Sequence, residues 1–274
     1  MCMITVANAP ASLLQRLFGG RSGARSLHVS GTSIYARREG SRQIVVYSMN
    51  LRSPCEAAMI LPLPVRPGLP EEDAHQFVAL DGAPTLFDDL LQLFAQTQFL
   101  GQSKGGGPLR RQAPRPRLAV KTVGSFDASF VPSIADFDRL DPRFRLPSTV
   151  WSELPGYGDY GFAVFKLRPG NALVHPMALW FETRSADQLF FPTVHVHDGS
   201  VHAEAAFDHM LYWETPGPVG QLADGVAPEP SRGLQVPPWL KARANGVFGD
   251  GYVQLRVLRG THPNRDQWQP AASR

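Results

Sequence analysis

Histidine is the residue type that most clearly could do chemistry in this chain, and it is unevenly placed. Five of the eight histidines lie between residues 175 and 209. Asp198-Gly199 separates two alternating runs there, which is the sequence pattern of a two-residue β-hairpin turn. The predicted pairing sets His195 opposite His202 and Thr193 opposite Glu204, with His197 on the same face. One face of the predicted hairpin is therefore lined with imidazoles.

This predicted face has the composition of a metal site. Opposed side chains on neighbouring strands are about 5 Å apart at Cβ, so His195, His197 and His202 could share one ion. Three imidazoles, or two with the Glu204 carboxylate, suit tetrahedral zinc or a facial triad for iron, and Glu204 could also serve as general base. The first hypothesis is a metal-binding protein or metalloenzyme. A solvated polar face without metal is the alternative for the same pattern.

Cys2 suggests a different chemistry. Removal of Met1 would leave a cysteine with a thiol nucleophile and a free α-amine able to act as base. That arrangement resembles the N-terminal-nucleophile amidohydrolases, with Met3-Ile4-Thr5-Val6 as the strand behind the nucleophile. An ordinary cysteine near a terminus is the simpler interpretation.

A third hypothesis is a non-catalytic binding module that presents residues 101–117, here called the basic segment. Gly105-Gly106-Gly107 is followed by four arginines among prolines. Such a composition buries little apolar surface, so it predicts a linker or loop. Its charge could dock on an acidic partner or on a phosphate.

The composition limits the class of protein to which this chain can belong. The 274 residues are 43% hydrophobic with two cysteines and a net charge of +3, which indicates a globular core and excludes a disulfide scaffold. The bases are scattered, so a nucleic-acid partner is not expected, whereas a small-molecule substrate is compatible with the sequence. No spanning segment or secretory signal is recognisable, so we expect a cytoplasmic protein without membrane contact.

The remaining pattern predicts an α+β fold, mainly antiparallel β with a few short helices. Short β-branched runs such as Ile44–Ser48 indicate strands, whereas residues 84–95 repeat apolar side chains at helical spacing. Strands and helices do not alternate regularly, which argues against a parallel sheet. The expected division is a β-rich part with one helix (1–100), the basic segment, a β-rich part with the histidines (118–259) and a polar tail (260–274), although one continuous domain also fits.

Five short segments in this order resemble an uncharacterised bacterial family of domains of unknown function. They are residues 44–48, 59–65, 86–93, 123–126 and 160–167. The resemblance implies a shared bacterial fold and implies no activity, ligand or catalytic residue.

Overall fold

A computed structural model describes residues 3–6, 27–101, 127–217 and 233–271, with side chains from 97 to 101 left aside. Within these ranges the chain is mostly β-strand with short helices, and all but one of the strand pairings run antiparallel. The predicted β-rich, mainly antiparallel fold is confirmed. The parallel exception joins two long strands, at residues 28–39 and 204–215.

The larger sheet has eight strands. Its order is β12-β13-β11-β2-β3-β9-β5, and β8 also pairs with β3. The strands are β2 (His28–Glu39), β3 (Arg42–Ser53), β5 (His75–Val78), β8 (Gly170–Leu173), β9 (Met177–Glu182), β11 (Glu204–Thr215), β12 (Leu234–Gln235) and β13 (Tyr252–Pro263). Strands from both sides of the basic segment thus share one sheet.

Two smaller sheets complete the β-structure. One has the order β1-β4-β7-β6, with β1 (Met3–Val6), β4 (Ala57–Leu63), β6 (Ala128–Val131) and β7 (Gly161–Leu167). The other pairs β10 (Gln188–Phe191) with β14 (Gln267–Pro270). Residues 260–271, predicted as a polar tail, therefore form the end of β13, a turn and β14.

The core is divided by the larger sheet because successive strand residues point to opposite faces. On β3, Val45, Tyr47 and Met49 join the core that also contains Met59 and Phe165 of the smaller sheet. The residues between them face a second core. That core is covered by helices and includes Ile44 and Val46 of β3.

The described ranges contain four α-helices. They are α1 (Glu71–Ala74), α2 (Leu86–Gly101), α3 (Ser148–Glu153) and α4 (Pro238–Arg243). Helix α2 confirms the helix predicted from periodicity: Leu86, Leu90 and Phe94 recur every four residues and are buried in the second core. No helix in the described part of the chain is long and apolar enough to cross a membrane.

Candidate functional site

The predicted histidine hairpin is wrong. Its first arm contributes β10, which pairs with β14, and the segment after residue 191 is irregular. The second arm begins β11 at Glu204, which pairs with Pro263 of β13 instead of with Thr193. Asp198-Gly199 does form a bend, with Gly199 at φ +79°. Strands distant in sequence form the backbone hydrogen bonds that the two arms of the hairpin were expected to form with each other.

The three predicted metal ligands consequently separate into two places. The rings of His195 and His197 lie 5.6 Å apart and nearly parallel. His202 lies on an exposed bend, where its Nε2 is 2.9 Å from the Asp198 carboxylate, and both side chains are more than half exposed. Glu204 is also exposed, at the start of β11. Neither residue joins the two stacked rings.

His209 takes the place that His202 was expected to fill. Its ring is 5.3 Å from that of His195 and tilted by only 16°. His195, His197 and His209 form what we call the histidine stack, with the Phe207 ring 4.3 Å from His195. Sequence reasoning underrated His209, because the assumed hairpin register placed it on the opposite strand face.

The histidine stack is closed to solvent at its centre. His195 is 6% exposed and His209 is fully buried. The rings turn their faces toward one another, an arrangement of packing contacts more than of converging ring nitrogens. Among the residues that the structure describes, no three His, Cys, Asp or Glu side chains are grouped so that they could hold one metal ion.

Burial also decides the charge of His195. The pKa of His195 is lowered from 6.5 to about 2, first by desolvation and then by the positive charges of the chain's N-terminus and of His197. The Nε2 atom of His195 is buried and has no hydrogen-bond partner among the described residues. Its burial therefore favours the neutral imidazole, which is poorly suited to accept a proton there.

A turn between β13 and β14 holds the irregular segment that carries His195; we call residues 264–266 the clasp. The Asp266 carboxylate accepts hydrogen bonds from the backbone N–H groups of Thr193 (2.7 Å) and Val194 (2.9 Å). The Asn264 side chain accepts from the N–H of His195 (2.7 Å) and donates to the carbonyl oxygens of His195 and His202, both at 2.9 Å. The clasp thus positions the backbone beside the stack.

The Asp266 carboxyl group has a shifted pKa. Burial raises its pKa to about 6, although hydrogen bonds from the Tyr157 hydroxyl (2.5 Å) and from the two backbone amides oppose the rise. Burial beside this carboxylate also raises the pKa of Tyr157. Sequence reasoning missed both Asp266 and Asn264, since each contacts residues about 70 positions away and a polar turn carries no sign of that.

The N-terminal strand reaches the same region from the other side. Met3 forms a parallel β-bridge with Val196, which lies between His195 and His197 in sequence. The N–H of Ile4 donates to the carbonyl of Val196 at 2.8 Å. Cys2 itself lies outside the described residues, so its role as a nucleophile stays a prediction.

The basic segment also lies outside the described residues, apart from Gly101. The nearest described elements are α2, which ends at Gly101, and β6, which begins at Ala128. Helix α2 packs into the helix-covered core, whereas Val131 of β6 belongs to a third core with Phe137 and Phe162. The segment is thus joined to two different parts of the folded protein.

Comparison with known proteins adds little. No family model matches the chain, and no curated protein matches it. Among solved structures, a chain of the caspase-8/p35 complex aligns with a TM-score of 0.39 and 11% identity, over 74% of this chain and 68% of that chain. A mutated baculovirus p35 after caspase cleavage aligns with a TM-score of 0.39 and 14% identity, over 70% and 67%. These scores are too low to establish a shared fold.

Proposed function

We propose that this protein is a non-catalytic binding module that presents the basic segment to an acidic cleft on a partner protein. The observation that carries the proposal is the segment's composition: Lys104 and four arginines in residues 101–117, with no acidic residue. Binding residues are often carried by loops that a packed scaffold positions, and the nearest described elements on either side, α2 and β6, both pack into the folded protein.

The geometry of the histidine stack supports a binding function over a catalytic one. A catalytic base or a metal-bound water must reach substrate. Here the central imidazole, His195, is 6% exposed and kept neutral by its burial. The stack, packed against Phe207 and held by the clasp, fits a structural role in the scaffold.

Arginine defines the chemistry of the partner. A guanidinium forms two parallel hydrogen bonds with one carboxylate, a pairing that lysine cannot reproduce. An acidic pocket that accepts arginine from an extended segment is found in proteases that cleave after basic residues. We therefore propose a protease of this specificity as the partner to test first, with Arg110 and Arg111 as the residues it engages.

The experiment measures inhibition and binding with two arginine-specific proteases, one serine and one cysteine protease. We expect the full chain to inhibit or trap at least one of them, and Arg110→Ala/Arg111→Ala to weaken this by at least ~10-fold, about 1.4 kcal/mol. Arg168→Ala/Arg259→Ala removes the same charge from exposed scaffold positions and is the matched control. Equal effects of both double variants, or tighter binding to a short DNA duplex than to either protease, would contradict the proposal.

A second candidate is a thiol enzyme based on Cys2, and one observation favours it. The bridge from Met3 to Val196 brings the strand that follows Cys2 beside the segment with His195 and His197. Intact mass tests for loss of Met1, and the alkylation rate of Cys2 compared with Cys55 tests for an activated thiol. Retention of Met1, or equal alkylation rates, would exclude this candidate.

A further inference from the structure

A polar groove of about 440 Å³ lies at one edge of the larger sheet, far in sequence from the clasp. Its volume falls within the roughly 300–1,000 Å³ of small-ligand sites. The floor includes Trp180 of β9 and Gln76 of β5, which are paired in register on neighbouring strands. Residues 66–74 form a wall beside them.

Two arginine side chains line one side of the groove. The Arg42 guanidinium lies 5.3 Å from the centre of the Trp180 ring, a cation–π contact that holds an exposed side chain in place. Arg66 lies nearby, with its Nη2 3.5 Å from Glu182 Oε2, and its side chain is 52% exposed. Both arginines keep N–H groups that a ligand carboxylate could use.

The opposite charge lies on α1. Glu72 and Asp73 both line the groove and are exposed. Arg66 pairs with Glu182, which leaves Arg42 and the two α1 carboxylates as the other charged groups of the lining besides His75. A ligand with only negative charges would be repelled by α1, and one with only positive charges would meet Arg42.

We propose that this groove binds a short peptide segment that carries both an acidic and a basic side chain. The acidic side chain pairs with Arg42, over the Trp180 ring, and the basic side chain pairs with Glu72 and Asp73. Electrostatic complementarity of this kind favours specificity more than affinity, so the expected interaction is weak and selective. This proposal does not depend on the function of the basic segment.

The test is calorimetric titration of the full chain with four capped tripeptides. Glu-Ala-Lys and Lys-Ala-Glu carry both charges, and Glu-Ala-Glu and Lys-Ala-Lys carry one sign each. We expect at least one mixed peptide to bind with a Kd of about 1 mM or tighter and both single-sign peptides to bind at least threefold more weakly. Arg42→Ala and Asp73→Asn should each weaken the mixed peptide by roughly three- to tenfold, since each pair is partly solvated.

Arg168→Ala is the matched control, because it removes an exposed arginine at another position. Both groove variants change exposed side chains, and a thermal melt verifies that they fold. The reversed variant Arg42→Glu should shift preference toward Lys-Ala-Lys. The proposal is overturned if neither mixed peptide binds at about 5 mM, or if single-sign peptides bind equally well.

Discussion

Replacing His195 by phenylalanine should change how the stability of the protein depends on pH. Phenylalanine keeps a flat ring against Phe207, 4.3 Å away, and removes the titrating group. The folded-state pKa of His195 is about 2 and its ordinary value is 6.5. For a base whose pKa is lowered by folding, stability is complete above the ordinary value and is lost as the pH falls below it.

The size of this loss follows from the same two pKa values. Each pH unit below 6.5 withdraws about 1.4 kcal/mol, so His195 alone should lower the free energy of unfolding by about 2 kcal/mol between pH 7 and pH 5. Asp266 acts in the opposite direction. Its pKa rises from 3.8 to about 6 on folding. Its protonation therefore adds about 1.3 kcal/mol over the same interval.

Urea unfolding at pH 7 and at pH 5 gives the free energy of unfolding of the wild type and of His195→Phe at each pH. The change between the two pH values should differ by about 2 kcal/mol between the proteins, with the wild type losing more stability. His28→Gln, at an exposed position, is the control and should follow the wild type. Parallel behaviour of the wild type and His195→Phe would refute the burial argument for the histidine stack.

Three further variants and one assay test other parts of the structure. Asp266→Asn should remove the gain on acidification, so its loss between pH 7 and pH 5 exceeds that of the wild type by about 1.3 kcal/mol; an unchanged difference would contradict the raised pKa. Asn264→Ala removes three hydrogen bonds to backbone groups and should lower the free energy of unfolding by about 2–4 kcal/mol in urea. Leu90→Ala should lower it by about 2–5 kcal/mol, because the side chain is fully buried. Plasma mass spectrometry should find metal well below one equivalent per chain, and one equivalent that disappears in His195→Ala would restore the metal hypothesis.

Local sequence patterns predicted the elements whose secondary structure does not depend on which segments pack against them. The β-branched run Ile44–Ser48 lies inside β3, and the four-residue repeat from Leu86 lies inside α2. Each pattern reflects which side chains are buried, whatever segments bury them. Proline lacks the N–H that a central strand uses for pairing, yet Pro62 lies in β4, between β1 and β7. β1 begins at Met3, opposite Ile60, so among the described residues Pro62 pairs only with Phe162 of β7.

The candidate site was predicted less well because its contacts are non-local. The Asp198-Gly199 turn signal is real, but β10 and β11 pair with β14 and β13 rather than with each other. A turn fixes a bend and cannot by itself decide which strands pair. The same long-range pairing brings the clasp to His195 and assembles the stack with His209.

Replacing the basic segment tests whether it binds a protease. Inhibition of an arginine-specific protease is titrated with the wild type and with a variant in which residues 102–117 are replaced by a glycine–serine linker of equal length. The account predicts tight, saturable inhibition by the wild type and none by the linker variant, with identical urea unfolding for both. Equal inhibition by the two proteins, or no complex with any arginine-specific protease, would contradict it.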